Sequence, residues 1–195
     1  MEQDKRSLLL TFIVVLMFGI LSCNSDYMPK PRGYFRIDLP EKSYQAFDSS
    51  FPYSFEMPSY AVITSDEHSL DEPYWINVIF PQFKGSLHLS YKSIDSNLVE
   101  YMEDTHTMAY KHISKASSIE NRLVLNEADS VYGLIFEISG LSAASPYQFF
   151  VTDSVKHFLR GALYFNVPPN NDSLAPVIDF VKQDIEHLIT TLRWK

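Results

Sequence analysis

Few side chains in this sequence have the type and spacing that chemistry requires. Glu103 and His106 stand three residues apart and Tyr110 follows four later, so on a helix they share one face. Such a trio can hold a cation or exchange a proton, but it lacks a third strong ligand. His112, six residues from His106, would point to another side of the same helix. A solvated helix face is the simpler account. Acid pairs such as Asp66/Glu67 and Asp71/Glu72 fall in an expected loop. Glycosidic chemistry would need two carboxylates at a set separation across a cleft, and neighbours in a loop do not supply that. There is no Gly-rich phosphate loop and no nucleophile-elbow pattern. The one cysteine, Cys23, excludes an intrachain disulfide, a Cys-based zinc site and a CxxC redox pair. The expectation is therefore a protein without catalytic residues, metal site or cofactor, and not an enzyme.

Cys23 has a different use. Lys5 and Arg6 precede an apolar run, Leu8 to Leu21, which is shorter than the roughly 20 residues of a spanning helix and suits the core of a signal peptide. The run ends in Ile20-Leu21-Ser22-Cys23, which resembles the lipobox of bacterial lipoproteins, with Leu21 where a small residue is usual. That resemblance implies cleavage after Ser22, so that 1–22 is a signal peptide, and lipidation of Cys23 with palmitate-type chains. Two or three acyl chains anchor durably where one does not.

The segment 23–44 reads as a tether of unusual composition. Pro29, Pro31 and Pro40 hold it extended, Lys30, Arg32, Arg36 and Lys42 make it basic, and Tyr34-Phe35-Arg36-Ile37 alternates as a pairing strand would. A mere spacer needs only reach, which Gly and Ser provide. Tyr34, Phe35, Arg36 and Ile37 are therefore expected to bind a partner or the domain itself. The apolar groups should supply the contact and the charges its orientation. The competing account is attraction of the basic strip to anionic head groups.

Residues 45–195 are expected to form a single domain. Of the 195 residues, 46% are apolar and 14% aromatic, enough to bury a core. The net charge of −8 and the absence of a basic stripe argue against nucleic acid as a partner. Period-two runs predict strands at Phe51–Met57 and Tyr60–Ile63, then a hairpin of Tyr74–Phe80 and Ser86–Lys92. Ser96 is expected to cap a helix running to Ala116, with Leu98, Met102, Thr105, Ala109, Ile113 and Ala116 inward. Four strands follow, from Arg122, Val131, Tyr147 and His157. Asp172 or Ser173 then caps a closing helix whose inner stripe is Val177, Val181, Ile185, Leu188 and Leu192. Successive hairpins and two amphipathic helices give an α+β class, a mostly antiparallel sheet covered by the helices. This element order is similar to the Mog1/PsbP-like sandwich.

Asp129-Ser130-Val131, Asp153-Ser154-Val155 and Asp172-Ser173-Leu174 resemble the O-glycosylation signal of Bacteroidota, which implies modification of Ser130, Ser154 and Ser173. Turns and caps also select Asp and Ser, so turn chemistry explains the same pattern.

Cys23 with Tyr27-Met28-Pro29-Lys30-Pro31-Arg32-Gly33-Tyr34-Phe35-Arg36-Ile37-Asp38-Leu39-Pro40 resembles the start of the gliding-motility lipoprotein GldD family of Bacteroidota. His106 to His112, Gly161 to Phe165, Pro168-Pro169-Asn170 and Arg193-Trp194-Lys195 extend the similarity along the chain. The resemblance implies a cell-envelope lipoprotein needed for gliding and associated with type 9 secretion. Its implied partners are the membrane, other gliding lipoproteins (GldJ-like) and secretion components. With one acid after Cys23, the expected location is the periplasmic face of the outer membrane. An assembly or stability factor is the leading function. The alternatives are a lipoprotein binding glycan or peptidoglycan fragments through Trp75 or Trp194, and an envelope hydrolase.

Overall fold

A computed structural model describes Gly33, residues 36–66, Ser69 and residues 71–195. Residues 37–195 form one compact unit. Its strands are β1 (Tyr44–Phe47), β2 (Tyr53–Pro58), β3 (Val62–Ser65), β4 (Ile76–Phe80) and β5 (Gly85–Ser93). Helix α1 (Leu98–Tyr110) is followed by β6 (Ser118–Asn126), β7 (Val131–Ser139), β8 (Tyr147–Thr152) and β9 (His157–Phe165). Helix α2 (Asn171–Thr191) and the short β10 (Arg193–Trp194) close the chain.

The fold is α+β. A seven-stranded antiparallel sheet has the order β3-β4-β5-β9-β8-β7-β6, and a three-stranded sheet the order β1-β2-β10. The alternation of each strand sends its residues to two separate cores. Tyr147, Phe149 and Val151 of β8 join Leu159 and Leu163 of β9 beneath α2, where Val177, Val181, Ile185, Leu188 and Leu192 face them. Tyr53, Phe55 and Met57 of β2 enter the same core. Phe150, Phe158, Phe136 and Ile138 point to the opposite face and pack with Ala109 of α1. Strand β8 is consequently buried along its whole length. The helices thus cover opposite faces of the sheet.

One close approach demands glycine. Phe149 stands opposite Gly161, and a Cβ on Gly161 would lie 2.1 Å from the Phe149 ring. The bare backbone of β9 lets that ring lie flat across it.

The first helix departs from expectation at both ends. Ser96 takes a positive φ of 60°, so it closes a turn, and Asn97 occupies the N-cap without a side-chain capping bond. The helix stops at Tyr110 rather than Ala116, because the backbone must enter β6, where Ser117 N donates to Ser139 O at 2.8 Å. Thr105 and Ala109 are buried as expected, whereas Ile113 lies beyond the helix and is 64% exposed. The closing helix is capped by Asn170, two residues before the expected Asp172 and three before Ser173. Its inner stripe is as expected.

Candidate functional site

Among the described residues a buried polar cluster under α2 is built around Asp184. This carboxylate sits on α2 one helical step from Val181 and Leu188, on the face that enters the core, and is 1% exposed. A buried charge is costly unless paired and hydrogen-bonded. Here Lys42 Nζ donates to Asp184 Oδ1 at 2.7 Å, Tyr44 OH donates to the same oxygen at 3.0 Å, and Tyr60 OH donates to Oδ2. Lys42 Nζ also donates to Phe180 O at 2.7 Å and lies 3.4 Å from the Phe180 ring centroid. All three ammonium hydrogens thereby have a fixed use: a carboxylate, a carbonyl and a ring face. Burial, then the hydrogen bond and charge of Asp184, push the Tyr44 hydroxyl up to about 12. Burial followed by the same carboxylate raises Tyr60 as well. Both phenols are locked as donors.

The cluster fastens the extended segment that precedes β1. Ile37, Pro40, Lys42 and Tyr44 turn inward while Asp38, Leu39, Glu41 and Ser43 turn out. Ile37 packs on the main core, and Gln82 Nε2 donates to Asp38 O at 2.6 Å. Tyr44 further stacks on His187 at 3.6 Å, and His187 Nε2 lies 2.7 Å from Glu56 Oε2. In this described part Leu39 is 42% exposed, Ile37 packs on the main core and Lys42 reaches a buried carboxylate. An aliphatic stem can lie along apolar surface, and its ammonium finds here a carboxylate that α2 has already buried. Tyr34 and Phe35 lie outside the described residues, as does Cys23.

Other residues singled out from sequence have structural partners. His106 stacks on Tyr110 with centroids 4.1 Å apart, so the Glu103-His106-Tyr110 face makes a ring contact. Among the described residues no group of three or more His, Cys, Asp or Glu could hold a metal ion. Trp75 Nε1 donates to Tyr91 O at 2.7 Å, and Trp194 Nε1 donates to Ser130 O at 3.0 Å. Trp194 also stacks on His157 at 5.1 Å.

The three Asp-Ser pairs stand at turns or at a helix start, with Ser130, Ser154 and Ser173 exposed. Ser130 and Ser154 have φ of 53° and 66°, the left-handed conformation of tight turns. Asp153 Oδ1 accepts from the backbone N–H groups of Val155, Lys156 and His157 at 3.0, 2.8 and 2.8 Å. Burial alone would raise Asp153, but these three donors outweigh it and hold the carboxyl below its ordinary value. Asp129 pairs with Arg193 Nε at 2.8 Å.

Comparison with known proteins decides the family. The gliding motility lipoprotein GldD family matches residues 24–194. The chain belongs to that family. No curated protein matches it. The solution structure of cyanobacterial PsbP (CyanoP) from Synechocystis sp. PCC 6803 is 11% identical, with a TM-score of 0.49, covering 83% of this chain and 98% of that one. At that identity the likeness says nothing of function.

A member of the gliding motility lipoprotein family is a lipid-anchored envelope protein, and the matched span opens one residue after Cys23. No helix among the described residues is long and apolar enough to cross a membrane. Sequence reading missed Asp184. The available signal was an acid at an inward position, three residues after Val181 and four before Leu188, in the α2 apolar stripe.

Proposed function

We propose that this gliding motility lipoprotein is a non-enzymatic assembly or stability factor of the gliding and type 9 secretion machinery. Acyl chains on Cys23 anchor it at the periplasmic face of the outer membrane, with 1–22 removed as a signal peptide and 23–44 as the tether between lipid and domain. Other gliding lipoproteins of the GldJ kind and secretion components are its partners. The family match over residues 24–194 carries the reading. Two features support it. The one cysteine stands where lipidation is expected. Ile37 and Lys42 hold the described end of the tether on the domain.

The test is a tagged pull-down from detergent extract, scored with a deletion strain. The expected result is stoichiometric recovery of envelope proteins, together with loss of spreading and reduced partner abundance in the deletion. Normal spreading and unchanged partner levels in the deletion strain contradict the proposal.

A further inference from the structure

A cleft of about 290 Å³ opens between α1 and the sheet, on the face opposite α2. Its walls are mostly apolar: Trp75, Tyr101, Met108 and Phe158. Arg160 of β9 lines it as well, and its situation is unusual. Arg160 Nη2 donates to Gln148 Oε1 at 2.9 Å, which fixes the guanidinium on the sheet. Gln148 is fully buried, and both Gln148 Nε2 and Arg160 Nε are buried donors without an acceptor. No carboxylate of the described residues pairs with Arg160; Tyr164 is its remaining hydrogen-bonding neighbour.

Buried donors without acceptors are costly, and a half-buried cation without a counter-charge more so. The positive field is felt nearby. Burial holds His88 and His112 below the ordinary histidine value; the charge of Arg160 adds to this at His112, and at His88 it follows an opposing pull from Asp66. The other charges at the cleft are a paired ammonium and one carboxylate. Lys92 adds a second ammonium, which pairs with Glu72 and lies 5.0 Å from the Trp75 ring centroid. Asp104 is on the exposed side of α1, at the mouth.

We infer that this cleft binds a small monocarboxylate with an apolar body, its carboxylate on Arg160 and its body between Trp75, Tyr101, Met108 and Phe158. With Nη2 on Gln148 and Nε buried, the guanidinium offers a carboxylate one further charge-assisted hydrogen bond, and such bonds are the strong ones. The volume lies at the lower end for ligand pockets, which limits the occupant to a fragment-sized molecule. The apolar walls favour an aryl or alkyl acid over a sugar acid.

The experiment is calorimetric titration of the detergent-solubilised full-length lipoprotein with benzoate, hexanoate, benzyl alcohol, hexanol and glucuronate. Benzoate and hexanoate should saturate, with the alcohols and glucuronate about tenfold weaker or more, as one charge-assisted contact predicts. Arg160→Gln should bring the acids down to the level of the alcohols. Ser90→Leu, which stands opposite Arg160 in the β5–β9 register and fills the cleft while every charge is kept, should abolish binding of both classes while the thermal transition stays cooperative. If Arg160→Gln fails to fold, the comparison of acid with alcohol and the Ser90→Leu variant decide. Equal binding of acids and alcohols, glucuronate binding as tightly as benzoate, unaltered binding in either variant, or no saturation by benzoate overturns the inference.

Discussion

Lys42 Nζ lies 2.7 Å from Asp184 Oδ1, so the first residues of the compact unit are tied to its last helix across 142 positions of sequence. The carboxylate side chain is wholly buried, while the lysine keeps 26% of its side chain in water. That asymmetry sets the energetics. Asp184 depends on its three donors, and each donor loses less by itself.

Removing the carboxylate should therefore cost most. Asp184→Ala leaves Lys42, Tyr44 and Tyr60 without their acceptor and should destabilise the chain by about 3 kcal/mol or more, measured by urea unfolding. Lys42→Met keeps the apolar stem against Phe180 and leaves Asp184 two phenolic donors, so about 1–3 kcal/mol is expected. A smaller effect for Asp184→Ala than for Lys42→Met contradicts this ranking.

The Phe149 ring across Gly161 makes a second, independent site of strain. Gly161→Ala would place a methyl 2.1 Å from that ring, so β8 or β9 must shift. A loss of about 1–3 kcal/mol is expected from overpacking, with a partial recovery when Phe149→Leu is added. An unchanged urea midpoint in Gly161→Ala would show that the ring moves freely.

How the sequence maps onto these features follows from what each residue answers to. The stripe Val177, Val181, Ile185, Leu188 was legible because burial of a helix face obeys a fixed period, and β8 and β9 because their apolar runs do. The end of α1 was not, since the pattern continues through Ile113 while the chain is drawn away by pairing of Ser118 with Ser139. β10 is two residues long and exists only because β2 offers Tyr53 and Ser54 as partners. Asp184 was hidden for a related reason. A helix position reads as apolar or polar, and an acid among apolar neighbours becomes meaningful only when a distant lysine and two tyrosines arrive.

Three histidines make the chain sensitive to mild acid. Burial, the largest cause in each case, lowers His88, His112 and His157 in the folded state. The unfolded chain therefore takes up protons first as pH falls below about 6.5, and folding stability declines with it. Asp153 titrates below its ordinary value, so its contribution is lost only at lower pH. The urea midpoint should fall between about pH 7.5 and pH 5.5, less so in His88→Gln. Equal midpoints at the two pH values would be the contrary result.

The tether is expected to dock as well as reach. Replacing Tyr34, Phe35 and Ile37 together with Ser keeps length and charge but removes the large apolar groups, each worth about 1.5–3 kcal/mol when buried. Spreading or partner abundance should drop while membrane attachment is unchanged. Full motility with normal partner levels would reduce the tether to a spacer.

A lipid-anchored protein that serves gliding from the membrane depends on Cys23. Cells carrying Cys23→Ala are fractionated and their spreading is measured on the same cultures. The expected result is a slower-migrating precursor or a soluble form, with loss of gliding. Normal membrane partition and normal spreading of the Cys23→Ala strain would contradict the claim.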